Sequence, residues 1–103
     1  MNSTDPKPED IIATLRANET SLRELGVTHA ALFGSRVRGE GRPDSDIDIM
    51  IELDPGRSMG VYTYVGIVQY IEDLFPIQVD VSNRAALKPH VRPRAEQDAV
   101  YAF

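Results

Sequence analysis

Cysteine and tryptophan are absent from these 103 residues, histidine occurs only twice, and no apolar run approaches the roughly 20 residues of a membrane span. Without cysteine there are no disulfides and no thiolate metal sites, and His29 and His90 have no partner at zinc-like spacing. The opening "MNSTDPKPED" is polar and acidic, with none of the basic-then-apolar order of a secretory leader. Together these absences lead to the expectation of a soluble, cytoplasmic protein with no membrane partner. Positive charge is also scarce: 11 Lys and Arg stand against 16 Asp and Glu, a formal net charge of -5. Coating nucleic acid draws on phosphate neutralisation, so no direct nucleic-acid binding is expected. The length fits a single domain over residues 1–103, with a modest core, so any large substrate must be held partly by another chain.

What is present is a patterned chain. "EDIIATLRANETSLRELG" spaces Ile11, Ile12, Leu15, Leu22 and Leu25 as one helix stopped by Gly26. "VTHAALFGS" reads as a buried strand running into a tight turn. From Asp46 to Leu53 the residues alternate, with Asp46, Asp48, Met50 and Glu52 on a polar face and Ile47, Ile49, Ile51 and Leu53 on a buried one. The turn-rich "DPGRSMG" predicts a mobile loop, and "VYTYVGIVQYIEDLF" a helix ended by Pro76. That helix should bury Val61, Tyr64, Val65, Val68, Ile71 and Leu74 or Phe75, leaving Tyr62, Tyr64 and Tyr70 as core or rim residues. "IQVDVS" alternates again, with Gln78 and Asp80 on its polar phase. A last helical stretch broken by Pro89 and Pro93 runs into "AEQDAVYAF", where Val100, Tyr101 and Phe103 are expected to dock on the core. The order predicts an α/β (α+β) fold, a small sheet covered by helices.

The chemistry concentrates in "GSRVRGEGRPDSDIDI", residues 34–49. Carboxylates this close repel unless arginines, water or metal ions compensate them. On a strand, residues two apart point the same way about 6.5 Å apart, so Asp46 and Asp48 can converge on a pair of metal ions about 3.5–4 Å apart. Asp80 completes a three-carboxylate site if its strand neighbours theirs in phase. Hard oxygen ligands suit Mg²⁺ or Mn²⁺ with substrate phosphates, and this points to phosphoryl or nucleotidyl transfer. A Gly34-Ser35 turn at a strand end can direct N–H groups and a hydroxyl at an anion, with Arg36, Arg38 and Arg42 nearby either as surface residues or as phosphate contacts. "RAALKPHVRPR", residues 84–94, has four basic residues and no acid, and reads either as a solvated face or as a patch facing phosphate or a partner.

This conjunction resembles the nucleotidyltransferase superfamily of the DNA polymerase beta type: a Gly-Ser turn, an acidic pair on a strand, then a third acid on a later strand. It is most similar to minimal nucleotidyltransferase (MNT) domain proteins, which carry "GSxARGxxxxDSDIDL"-like motifs. The resemblance implies a small mixed β-sheet flanked by helices. It also implies an antitoxin of a type VII-like pair, whose partner is a HEPN-domain ribonuclease toxin silenced by transfer of AMP from ATP to a tyrosine. Carried over, Gly34 and Ser35 would bind the triphosphate, with Arg38 and Arg42 as further phosphate contacts. Asp46 and Asp48 would ligate two Mg²⁺ (or Mn²⁺) ions, and Asp80 would complete the catalytic metal site and help activate the acceptor. Two other readings stay open: an antitoxin that neutralises by covering its partner without catalysis, and a nucleotidyltransferase acting on a small molecule such as an antibiotic.

Overall fold

The computed structural model describes residues 6–40 and 45–103. Pro8 and the acids Glu9 and Asp10 open helix α1 (Pro8–Ala17), as the missing proline N–H and the positive helix end favour. The expected single helix is broken at Asn18, where the chain restarts as α2 (Glu19–Leu25). The Asn18 amide donates to the Thr14 carbonyl (2.8 Å) and its oxygen accepts from the Tyr70 hydroxyl (2.7 Å), so the side chain takes over bonding that would otherwise continue the helix. Gly26, in the left-handed region at φ 110°, ends α2 as expected.

Strand β1 (Val27–Phe33) pairs antiparallel with β2 (Ile47–Leu53), and β2 pairs parallel with β3 (Val79–Asn83), which follows helix α3 (Val61–Glu72). After a short 3₁₀ turn come α4 (Arg92–Asp98) and β4 (Val100–Tyr101), which adds antiparallel to β1. The sheet is therefore mixed, in the order β3-β2-β1-β4.

One face of the sheet presents Ala30, Leu32, Ile47, Ile49, Ile51 and Val79 to Ile11 and Leu15 of α1, Leu22 of α2, and Ile67 and Ile71 of α3. Each of the Val, Leu and Ile side chains among them contributes about 1.5–3 kcal/mol by leaving water. On the opposite face Ala31 and Met50 pack with Ala95 of α4. The alternation in β2 is real, but its second face is polar only towards its two ends, at Asp48 and Glu52, because Met50 between them packs with Ala95 of α4 and is 1% exposed.

Two further expectations are revised. The buried stripe of α3 is Ile67 and Ile71, flanked by half-buried Tyr64 and Val68, whereas Val61 and Val65 are exposed and Tyr62 is 93% exposed. Ala102 and Phe103 dock the end of the chain, while Val100 and Tyr101 are exposed on the short edge strand β4. The loop after β2 is turn-rich, as its sequence reads: the Asp54 carboxylate accepts from the Gly56 N–H at 2.9 Å and the Asp54 carbonyl from the Arg57 N–H at 3.2 Å. No helix among the described residues is long and apolar enough to cross a membrane.

Candidate active site

The site is built at the end of the sheet where β1 ends and β2 begins. Phe33 is the register partner of Asp48 across the antiparallel pair, and Asp48 is the register partner of Asp80 across the parallel pair. Register partners share a face, so Asp80, Asp48 and Phe33 form a row across three strands. This is the face that α4 covers further along. The adjacency that the sequence required of Asp80 is present.

Immediately after Phe33 the chain turns at Gly34, with φ 86°. Two constraints meet at this residue. The left-handed backbone disfavours any side chain, and a Cβ here would lie 3.1 Å from the Asp48 Cγ, overlapping its carboxylate. Gly34 therefore lets the turn lie directly against Asp48. From there the chain folds into successive turns: the Gly34 carbonyl accepts from the N–H groups of Val37 (3.2 Å) and Arg38 (3.4 Å), and the Ser35 carbonyl from that of Glu40 (2.9 Å). No regular helix forms between Gly34 and Glu40. Ser35 is half-buried, and its hydroxyl makes no hydrogen bond among the described residues.

Burial pushes the Asp48 carboxyl above the ordinary carboxylate range, and the charges of Asp80 and Asp46 push it the same way, while Arg36 and Arg38 oppose. Asp46 lies one residue before β2 and is exposed, as is Asp80. Tyr64 on α3 also feels the site: burial first, then the Asp80 charge, raise its hydroxyl pKa. Among the described residues no three His, Cys, Asp or Glu side chains are drawn together as a ready-made metal cage. Like-charged carboxylates with no cation between them favour separation. The donor set itself, all carboxylate oxygen with the charges of Asp46 and Asp80 acting on Asp48, fits Mg²⁺ or Mn²⁺ and does not fit a soft metal.

The arginines divide by role. Arg36, expected as a surface residue or a phosphate contact, is 7% exposed. Its guanidinium donates to the Ser45 carbonyl at 2.6 Å and the Pro6 carbonyl at 3.4 Å, joining the turn after β1 to the approach to β2. Arg38 is exposed and ion-paired with both Glu40 (2.9 Å) and Asp98 of α4. Arg42 lies outside the described residues.

In the basic segment, Arg84 pairs with Glu96 and Glu52, and Arg92 pairs with Glu96. Lys88 and Arg94 make no ion pair among the described residues. Half of that segment is thus structural, a distinction its spacing could not make. Phe33 went unmarked in the sequence and Tyr64 was read there only as a core or rim residue, because their place beside the acids depends on strand register and helix packing.

The model of the nucleotidyltransferase domain family matches residues 15–102 of this chain. The protein adenylyltransferase MntA of Thermococcus cleftensis is 33% identical over 94 residues, covering 90% of this chain and 93% of its own. A solved minimal nucleotidyltransferase superposes with a TM-score of 0.65 at 28% identity, over 86% of this chain and 93% of that one. The fold is also that of a chain in the complex of a tri-AMPylated Shewanella oneidensis HEPN toxin with its MNT antitoxin. There the TM-score is 0.60 at 14% identity, over 89% of this chain and 71% of that one. With its Gly-Ser turn set against a strand-borne acidic pair, this chain belongs to the nucleotidyltransferase domain family, among relatives named as protein adenylyltransferases.

Proposed function

We propose that the protein transfers AMP from ATP to a tyrosine hydroxyl of a HEPN-type toxin, and so acts as its antitoxin. The observation that carries this reading is the register of Asp48 with Asp80, with Gly34 packed on the same carboxylate. The names of the relatives and the toxin complex that shares this fold support the direction of transfer and the class of acceptor.

Gly34 and Ser35 bind and orient the triphosphate through backbone N–H groups and the unengaged Ser35 hydroxyl, with Arg38 and Arg42 as flanking phosphate contacts. Asp46, Asp48 and Asp80 would hold Mg²⁺ or Mn²⁺, which supplies neutralisation of the phosphate charge and a lowered pKa for the acceptor hydroxyl. The strand register that makes Asp48 and Asp80 partners on one face supports this assignment. Asp80, exposed at the edge strand, is the base: it receives the proton of the tyrosine hydroxyl and passes it to solvent. The tyrosine oxygen forms a bond to the α-phosphorus, the bond from that phosphorus to the α,β-bridging oxygen breaks, and diphosphate departs. The phosphodiester left behind blocks the toxin.

The deciding experiment is the intact mass of a co-expressed partner toxin, purified with the unaltered protein and with the Asp46→Asn, Asp48→Asn variant. One or more AMP masses added only by the unaltered protein are expected. An unmodified partner, tightly bound and silenced in both preparations, would replace this reading with neutralisation by contact.

A further inference from the structure

Beside the Gly34 turn lies a cavity of about 400 Å³ that none of the motif residues alone accounts for. Its floor is Phe33 with Ala95, and its rim carries Arg38, His90, Arg94 and the carboxylate of Asp98. Arg38 and Asp98 are occupied with each other. Arg94 is exposed and makes no hydrogen bond or ion pair among the described residues. An arginine facing a cavity without an acid to hold it is a cation available to an anionic ligand.

Direction along the row of residues says which part of a ligand reaches it. In an in-line displacement the acceptor and the leaving group lie on opposite sides of the reacting phosphorus. Asp80 stands at one end of the row, Asp48 in the middle, and Phe33 with the Gly34 turn at the other. With the acceptor at the Asp80 end, the leaving diphosphate points toward the turn and into the cavity beyond it. We infer that this cavity receives the β- and γ-phosphates of the nucleotide and that Arg94, from α4, is their contact outside the Gly-Ser and acidic motifs. This rests on the nucleotidyl-transfer reading above and adds to it a residue that the motif does not contain. Ala95 and Phe33 form an apolar wall behind the charge, which strengthens the arginine's pull relative to open water.

The test is calorimetric titration of the full-length protein with ATP and with AMP, each with Mg²⁺, for the unaltered chain and for Arg94→Ala and Arg94→Lys. Thermal melts of all three confirm that the exposed substitutions leave the fold intact. Loss of one charge-assisted phosphate contact is expected to weaken ATP binding by about 10-fold or more in Arg94→Ala, leave AMP binding within about 2-fold, and be partly rescued by lysine. Equal weakening of ATP and AMP would place the nucleoside in the cavity and overturn the assignment. Undiminished ATP binding in Arg94→Ala would overturn it too while leaving nucleotidyl transfer intact, whereas an unaltered chain that binds no ATP would remove both.

Discussion

Asp48 of β2 and Asp80 of β3 stand directly opposite one another across a parallel strand pair, and the half-buried Asp48 is held above the ordinary carboxylate range by burial and by its acidic neighbours. The nucleotide-free fold thus carries an electrostatic penalty at the place where its chemistry is proposed.

That penalty has a sign in pH. Because the folded pKa of Asp48 is raised, the native state keeps its proton to higher pH than the unfolded chain does. Between the ordinary carboxylate pKa and the raised value, stability falls as pH rises; below that window the group contributes nothing, and above it the penalty is complete. Asp48→Asn is expected to flatten this part of the pH–stability curve and raise the melting temperature of the nucleotide-free protein near neutrality, while abolishing AMP transfer. Urea melts of both proteins across the acidic range check it.

Nucleotide should reverse the effect. ATP with Mg²⁺ at about 100 times its Kd stabilises a one-site protein by about 2.7 kcal/mol through mass action. A clear upward thermal shift is expected with both together in the unaltered protein, and little or none in the Asp46→Asn, Asp48→Asn variant.

Gly34→Ala combines two costs. A side chain at φ 86° is unfavourable by about 1–2 kcal/mol, and its Cβ must displace the Asp48 carboxylate. The variant should remain folded but lose most of its transferase activity, in contrast to a same-size change at Gly39. Gly39 also has positive φ, but a Cβ there would meet no neighbour within 4 Å.

Arg36→Ala is predicted to lower stability by about 1–3 kcal/mol, because it removes a buried guanidinium and its 2.6 Å hydrogen bond to the half-buried Ser45 carbonyl. By tying Ser45 to the turn after β1, Arg36 also sets where Asp46 begins. Its loss should therefore reduce turnover even at temperatures where the variant is fully folded.

On α3, Ile67→Ala should cost about 2–5 kcal/mol and Tyr62→Ala less than about 0.5 kcal/mol, although both residues are large and share one helix. Ile67 is completely buried and Tyr62 is 93% exposed. Chemical denaturation of the two variants separates them.

The contrast on α3 shows where sequence periodicity gave out. An almost wholly apolar helix offers no polar face to orient it, so Val61 and Val65 looked as suited to the core as Ile67. In β2 the strict alternation of acids with isoleucines left one solution, and the strand stands within a residue of where it was expected. The proximity of Asp46 and Asp48 was legible because it is local. The partnership of Asp80 was legible only as a condition, since register between distant strands is fixed by the packing of α3 against the sheet. Arg36 was misjudged because arginine is rarely buried, and nothing local reveals that two carbonyls from separate segments converge on it. The break at Asn18 depended equally on a partner far along the chain, Tyr70.

The parallel pairing of β2 with β3 also bears on how the molecule comes together. β1 and β2 are joined antiparallel by one short connection, whereas β3 reaches β2 only after the chain has crossed over through α3. Closing the longer, non-local contact carries the greater entropy cost and is expected to come later in folding. Until β3 docks, Asp48 lacks the acid opposite it, so a partly folded chain carries only part of the charge conflict and not the site. Nucleotide would then reward only the finished sheet, making substrate itself a selective ligand for molecules that have completed the final strand pairing.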